Sequence, residues 1–309
     1  MPIYNIKMEN PVSSINNLIG DLTMSNEMRI DALLPQEMAK KAEDLGVIKS
    51  RTPFPSLFAL SVLAGAFIGL GAMFSTITAA GSSVLPYGIA RIIIGFSFCL
   101  GLILVIIGGA ELFTGNNLII MAWASRKVST RSLLKNWLVV YIGNFIGSIG
   151  TATLVFFTRQ YSFNSGTVGV VALNVAAGKT NLDFFQAVML GVLCNVLVCL
   201  AIWLSFSARS TTDRILAILF PVTAFVAASF EHSVANMYFV PYGLLIKYFD
   251  PAFVSSLASN IAGISELTLI NFFMKNLLPV TIGNIIGGGG LVAAAYWFVY
   301  LSRKRRYSC

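Results

Sequence analysis

The chain has 309 residues, of which 56% are hydrophobic and 11% are charged, and its mean hydropathy is +0.79. Soluble domains carry about 25% charged residues, so this composition excludes a disordered chain, argues against an ordinary water-soluble enzyme and predicts a membrane protein. The formal net charge is +8, but the basic residues fall in short blocks between apolar runs, a pattern typical of orientation signals and not of a nucleic-acid-binding surface.

The chain begins with a polar extension, residues 1–28, which lacks the basic and apolar segments of a cleaved signal peptide. A cytoplasmic amphipathic helix is predicted over residues 29–50, because apolar side chains recur there at helical spacing with acids and lysines on the other face. We expect this helix to lie along the membrane surface. A solvated leader is the alternative.

Six apolar runs follow, near residues 56–79, 89–124, 134–158, 183–207, 213–248 and 276–301. The second and fifth runs hold about 36 residues each, whereas a bilayer requires about 20, and both carry acidic and polar residues at their centres. We therefore predict an all-α polytopic protein with a six-span transport domain over residues 51–302, in which the second and fifth helices are broken.

Basic residues are concentrated on one side of these runs, including the tail over residues 303–309. Because positive charge marks cytoplasmic loops, this asymmetry places both termini in the cytoplasm and is compatible with a bacterial inner membrane. The single histidine and the four scattered cysteines offer no metal-ligand spacing. We expect no metal and no cofactor.

The two halves of the chain resemble each other. The third and sixth runs contain nearly the same string, KNWLVVYIGNFIG over 135–147 and KNLLPVTIGNIIG over 275–287. The second and fifth runs share an acid followed five residues later by an amide, and these four side chains are Glu111 and Asn116, and Glu231 and Asn236. Since each half has three spans, the second half must enter the membrane in the opposite sense, as an inverted repeat.

Broken helices in an inverted repeat bring their breaks to the bilayer midplane, where irregular backbone is tolerated only if it lines a cavity. The half-helix after each break aims its amides at this centre, which favours a small anion. His232, the only histidine, lies at the second break, and its ordinary pKa of about 6.5 suits proton exchange. We predict that His232 offers the anion a hydrogen bond or a proton, with Thr114 as its partner; a structural histidine is the alternative.

The remaining polar residues allow two interpretations. For the acids Glu111 and Glu231 we favour a scaffold role at the helix breaks over a proton relay. The amides are predicted to hold loops and helix crossings, with Asn195 alternatively facing the pore, and they are Asn116, Asn144, Asn195, Asn236 and Asn284.

Two further groups of residues flank the breaks. Lys49 and Lys179, which lies in a loop before the fourth span, either raise the anion concentration at the two mouths or are solvated interface lysines. Four apolar residues near the breaks either pack or form a constriction that excludes hydrated ions, and they are Phe98, Leu102, Leu112 and Phe225.

Strings such as GAELFTGN, FEHSVANM and LLPVTIGNIIGGG resemble the formate/nitrite transporter family, most closely its bacterial formate channels, over about residues 31–301. The resemblance implies a homopentamer of six-span protomers with an aquaporin-like fold, each with its own pore. It also implies that the pore centre includes Asn195 and Asn284 beside Thr114 and His232. Lys49 and Lys179 match the vestibule lysines, and the four apolar residues match the constriction.

Two features depart from the formate channels of that family. They carry DLFTS where this chain has ELFTGN, a form more like nitrite and hydrosulfide members. The N-terminal end of some relatives contacts a cytoplasmic formate-producing enzyme, which would make such an enzyme a partner here. The sequence therefore predicts a pH-dependent or proton-linked channel for formate and similar weak acids, with a nitrite or hydrosulfide channel as the alternative.

Other classes fit less well. A neutral-solute channel of the aquaporin type would carry two Asn-Pro-Ala breaks and an arginine filter, and the chain has neither. An intramembrane enzyme would need a second catalytic group beside His232, since Ser233 alone does not complete a triad. No catalytic residue is assigned.

Overall fold

The computed structural model describes residues 32–257 and 261–302, and all regular secondary structure in these ranges is helical. The predicted extension and basic tail lie outside the described residues. The helices are α1 (Pro35–Arg51), α2 (Phe54–Ala79), α3 (Tyr87–Ile107), α4 (Ile120–Ala124), α5 (Thr130–Phe157), α6 (Thr167–Thr180), α7 (Phe184–Ser207), α8 (Thr211–Ala227), α9 (Ser233–Phe249), α10 (Pro251–Leu257) and α11 (Leu269–Tyr300).

Five of the described helices, α2, α3, α5, α7 and α11, are long and apolar enough to cross a membrane. The chain is therefore a membrane protein. The fifth apolar run is divided between α8 and α9. Each has 17 residues, at the lower limit of the length that spans the hydrocarbon core, and neither is among the five helices counted above.

Both runs predicted to be broken are interrupted in the structure. Helix α3 ends at Ile107 and the next helical turn begins at Gly115, whereas α8 ends at Ala227 and α9 begins at Ser233. Each interruption contains one residue with left-handed backbone, and these are Gly109 (φ 73°) and Ser229 (φ 57°). Left-handed backbone reverses the chain direction within a few residues, so the chain turns at equivalent places in the two breaks.

The duplicated strings cross other helices at very short range. A Cβ atom at Gly147 of α5 would overlap the carbonyl oxygen of Val62 in α2. A Cβ atom at Gly287 of α11 would overlap the carbonyl oxygen of Val192 in α7. The two glycines therefore allow each helix pair to approach backbone to backbone.

Two helices, α6 and α10, were not expected from the sequence. Lys179, predicted in a loop, lies instead in the last turn of α6. This helix has 14 residues, too few to span a bilayer, so a search for long apolar runs does not detect it. Leu173, Ala176 and Ala177 of α6 are fully buried, and tertiary packing stabilises the helix.

Helix α1 packs one face against the protein itself. Met38, Ala39 and Ala42 are buried in a cluster that includes Leu118 and Met121. The apolar face that the sequence assigned to the membrane surface thus lies partly on the segment following the first break. This contact places Lys49, near the end of α1, beside that break.

Candidate functional site

One buried hydrogen bond joins the two helix breaks. The Oγ1 atom of Thr114 lies 2.9 Å from Nε2 of His232, and the two residues are 0% and 3% exposed. Nδ1 of His232 accepts the amide N–H of Ala235 at 3.1 Å and so caps the N-terminus of α9. Because Nδ1 is the acceptor, this network assigns the proton of the neutral ring to Nε2, which donates to Thr114.

Two cavities approach this centre. The first, here called the Lys49 cavity, has a volume of about 370 Å³, and its lining residues include Lys41, Lys49, Glu111, Leu112 and Arg214. The second, the Lys179 cavity, has a volume of about 440 Å³, and its lining residues include Arg91, Phe98, Lys179, Phe225, Glu231 and His232.

Helix α2 relates the two cavities in space. It begins at Phe54, shortly after Lys49, and its residues Ser75, Thr76 and Ala79 line the Lys179 cavity. A helix of 26 residues is about 39 Å long. The cavities therefore lie toward opposite ends of the membrane-spanning helices.

Two of the four predicted constriction residues, Phe98 and Phe225, line the same cavity as the central histidine. The Phe225 ring stacks near the His232 ring, with centroids 6.1 Å apart, and the Phe98 ring meets Phe225 edge-on at 5.7 Å. Leu112 lies on the Lys49 side, whereas Leu102 is 2% exposed in the core. Phe98 and Phe225 thus line the Lys179 cavity together with His232, whereas Leu112 lines the Lys49 cavity, which His232 does not reach.

A polar network surrounds the first break. Nζ of Lys49 donates to both carboxylate oxygens of Glu111 at 2.9 Å and to Oδ1 of Asn116 at 2.9 Å. Nδ2 of Asn116 donates to Glu111 at 2.8 Å and to Oδ1 of Asn136 at 2.9 Å. Nδ2 of Asn136 donates to the carbonyl of Lys49 at 3.0 Å, which closes the network.

The second break is surrounded by the same arrangement. Nζ of Lys179 donates to Glu231 at 2.8 Å, and Nδ2 of Asn236 donates to Glu231 at 2.7 Å. Asn276 accepts from Asn236 at 2.7 Å and donates to the carbonyl of Lys179 at 3.0 Å. The two lysines predicted at the mouths are therefore ion-paired with the two acids predicted as scaffold.

Sequence reasoning missed Asn136 and Asn276 as members of these networks. The signal was present, because both asparagines occupy the second position of the duplicated strings. Only the fold shows what each contacts, since Asn136 bonds to Lys49 across 87 residues of chain and Asn276 to Lys179 across 97.

Two further asparagines hold the breaks themselves. Asn144 accepts the amide N–H of Phe113 and donates to the carbonyls of Ser61 and Glu111, at 2.7–2.9 Å. Asn284 makes the corresponding three bonds at 2.8–3.0 Å, and its partners are Ser233, Gly191 and Glu231. Each side chain satisfies one amide N–H and one carbonyl that the interrupted helix leaves without helical partners, and also bonds to a carbonyl of a neighbouring continuous helix, Ser61 in α2 or Gly191 in α7.

Asn195 and Asn284 were predicted at the pore centre. Asn195 donates to the carbonyl of Asn284 at 2.7 Å and to that of Thr114 at 3.3 Å. Both amides are fully buried, and neither is among the residues lining the two cavities. The structure shows both side chains bonded to backbone carbonyls, one of which is the carbonyl of Thr114 at the centre. Among the described residues, no group of three His, Cys, Asp or Glu side chains is arranged to hold a metal ion.

Two cavities toward opposite ends of membrane-spanning helices, converging on one buried polar contact, define a membrane channel or transporter. Residues 36–298 match the model of the formate/nitrite transporter family. The chain belongs to that family, whose members are transporters, and it is not an enzyme.

Individual relatives agree with this assignment. The chain is 42% identical over 279 residues to the formate channel FocA of Escherichia coli K12, covering 90% of this chain and 98% of the relative. It is 34% identical to a probable formate transporter of Methanothermobacter thermautotrophicus, covering 86% of this chain and 97% of the relative. A solved structure described as a pentameric formate channel with formate bound is similar with a TM-score of 0.76 and 44% identity, covering 81% of this chain and 98% of that one.

Proposed function

We propose that this protein is a channel that passes formate and similar small monovalent weak-acid anions across the membrane. Two observations support the proposal: the similarity to formate channels over nearly their whole length, and the buried hydrogen bond between Thr114 and His232 between two cavities. Of these, the hydrogen bond carries the mechanism, because it places the chain's only ionisable imidazole where both helix breaks meet.

In this mechanism the anion enters a cavity that carries fixed positive charge and passes the apolar constriction to reach His232. The Nε2–H that donates to Thr114 in the resting state then donates to the anion, so that the carboxylate exchanges water for a protein donor. For proton transfer the ring first takes up a second proton at Nδ1 in place of the bond from the Ala235 N–H; the imidazolium can then give its Nε2 proton to the carboxylate and return to neutral imidazole. The acid would cross the constriction without net charge, which lowers the cost of passage through an apolar segment. Flux is therefore linked to pH.

The duplicated contacts support an inverted repeat. We propose six spans in two three-helix halves, in which α8 and α9 together form the fifth span, and an aquaporin-like protomer. The similar solved structure is described as pentameric, and we propose a homopentamer here. We place the protein in a bacterial inner membrane with both termini in the cytoplasm, from the asymmetry of basic residues.

The predicted division of the chain completes this proposal. It comprises the extension 1–28, the amphipathic helix 29–50, the transport domain 51–302 and the tail 303–309. Contact between the N-terminus and a formate-producing enzyme remains a prediction.

The test is formate uptake into proteoliposomes between pH 5 and 8, with wild type compared with His232→Asn. Asparagine retains an oxygen that can cap α9 but has no titratable proton. We expect wild-type uptake to vary with pH and the variant to lose that variation. Equal pH profiles for the two proteins would overturn the histidine mechanism.

The same assay distinguishes the substrates. Formate uptake should be reduced by nitrite or hydrosulfide only to the extent that these anions enter the same pore. If nitrite or hydrosulfide is transported and formate is not, the alternative substrate is correct. If none of the three is transported by wild type, the proposal of a small-anion channel fails.

A further inference from the structure

The Lys49 cavity contains more positive charge than its ion pair neutralises. Three cationic side chains line it, Lys41, Lys49 and Arg214, and Glu111 is its one carboxylate among the described lining residues. Lys49 is paired with Glu111 at 2.9 Å. Lys41 and Arg214 therefore contribute two positive charges to the cavity without a carboxylate facing them there.

Lys41 is held at the cavity by a single hydrogen bond. Its Nζ donates to the carbonyl oxygen of Phe206, in the last turn of α7, at 3.0 Å, and lies 6.0 Å from the centre of the Phe206 ring. An ammonium group has three N–H donors, so two are left for another acceptor. Burial, together with the positive charges of Arg214 and Arg209, lowers the pKa of Lys41.

Arg214 lies in the first turn of α8, where the helix dipole disfavours positive charge. Its guanidinium makes no hydrogen bond within the part of the chain that the structure describes. Lys41 is partly buried and Arg214 is exposed; their like charges at one cavity repel each other, and a bound anion between them would relieve the repulsion. A guanidinium also binds a planar carboxylate through two parallel hydrogen bonds.

The Lys179 cavity differs at the corresponding point. Arg91 lines that cavity, but three of its five N–H donors are engaged, because it donates to the carbonyls of Ala227 and Val226 and to the hydroxyl of Ser229 at 2.6–3.0 Å. Arg91 thus caps the end of α8 at the second break. The Arg91 guanidinium is therefore held by the protein, whereas that of Arg214 has no hydrogen-bond partner among the described residues.

We propose that Lys41 and Arg214 form a second anion-binding site in the Lys49 cavity, which holds a small monovalent carboxylate before it passes Leu112. This inference rests on the proposed function and adds residues that determine how the anion is captured from one side. By the predicted orientation, that side is the cytoplasm.

The test compares formate entry in inside-out and right-side-out membrane vesicles as a function of formate concentration. The variant is the double substitution Lys41→Gln with Arg214→Gln. Its matched control is Lys135→Gln with Arg131→Gln, which removes the same charges from exposed positions of α5 that line neither cavity. A charge-preserving variant, Lys41→Arg with Arg214→Lys, tests whether charge or packing matters.

We expect the KM for entry from the Lys49 cavity to rise about fourfold or more when two nearby charges are removed. The maximal rate, and the KM for entry from the other side, should stay near wild type. The charge-preserving variant should restore the wild-type KM, and the exposed control should leave it unchanged.

Three results would overturn the inference while leaving the proposed function intact. They are an unchanged KM in the double variant, an equal rise in the exposed control, and failure of the charge-preserving variant to restore the KM. A wild-type protein that carries no formate in either vesicle orientation would instead contradict the proposed function itself.

Discussion

The two helix breaks share a scaffold and differ in chemistry. At each break an acid pairs with a lysine from a preceding helix, and an asparagine from a duplicated string supports the turn. The residue after the acid differs, since Leu112 follows Glu111 and His232 follows Glu231. The two breaks therefore share the contacts that hold the turns, while the ionisable imidazole occurs at the second break and not at the first.

The largest expected effect concerns the scaffold. Asn144→Leu and Asn284→Leu each leave one amide N–H and one carbonyl of a break buried without a partner, at about 1–3 kcal/mol per group. Both should lower the free energy of unfolding by at least about 2 kcal/mol, measured by thermal unfolding in detergent. Asn181→Leu at an exposed position should change it by less than about 0.5 kcal/mol. A marked difference between the two buried variants would contradict the equivalence of the scaffolds.

The second prediction concerns a substitution that gives both breaks the same residue after the acid, leucine. His232→Leu removes a hydrogen bond that, to a charged group, contributes about 1.5–3 kcal/mol. Since about 1.4 kcal/mol is tenfold, initial formate flux into proteoliposomes should fall about tenfold or more. His232→Asn should unfold at a higher temperature than His232→Leu, because it retains the cap of α9. Undiminished flux in His232→Leu would show that the asymmetry has no role in transport.

The third prediction separates the two ion pairs by burial. The side chain of Lys179 is 15% exposed, whereas that of Lys49 is 31% exposed. Removing one partner of a pair costs more when the remaining charge is better buried. Glu231→Gln should therefore destabilise by about 2 kcal/mol and Glu111→Gln by about 1 kcal/mol, compared by chemical denaturation. The reverse order would show that burial does not set the difference.

The smallest effect concerns the helices that carry the two lysines. Helix α6 is held by apolar packing, whereas α1 also depends on Glu43, whose carboxylate accepts from Lys127 at 2.6 Å. Burial raises the pKa of Glu43, but hydrogen bonds from Lys127, Ser125 and Lys40 outweigh it, so the pKa lies below its ordinary value.

A depressed pKa means that the stabilisation is present above the unfolded value of about 4.3 and is lost as the pH falls through the folded value. The protection factors of the α1 amides, which correct for the pH dependence of intrinsic exchange, should therefore fall on acidification below about pH 4.3, by the equivalent of about 1 kcal/mol or less, because the side chain of Lys127 is 42% exposed. The Glu43→Gln variant should exchange faster at neutral pH and respond less to acid. Equal acid sensitivity in α6 would contradict this assignment.

Much of the site could be predicted from the sequence because the similar strings in the two halves contain glycine and asparagine at positions where few other residues would fit. Small residues such as Gly147 and Gly287 occur where helices approach at backbone distance, and buried amides occur where backbone groups need partners. The short helix α6 was missed, since its 14 residues are stabilised by burial and not by length or composition.

Hydropathy and spacing along the chain suffice to predict that the protein belongs in a membrane, that two apolar runs are broken, and that one histidine lies at a break. Which side chains pair becomes visible only in the folded structure. Lys49 meets Glu111 across 62 residues and Lys179 meets Glu231 across 52, and Asn284 turns to the backbone instead of a cavity. The physical reason is that the energy of a buried charge or amide depends on partners distant in sequence, which local pattern does not encode.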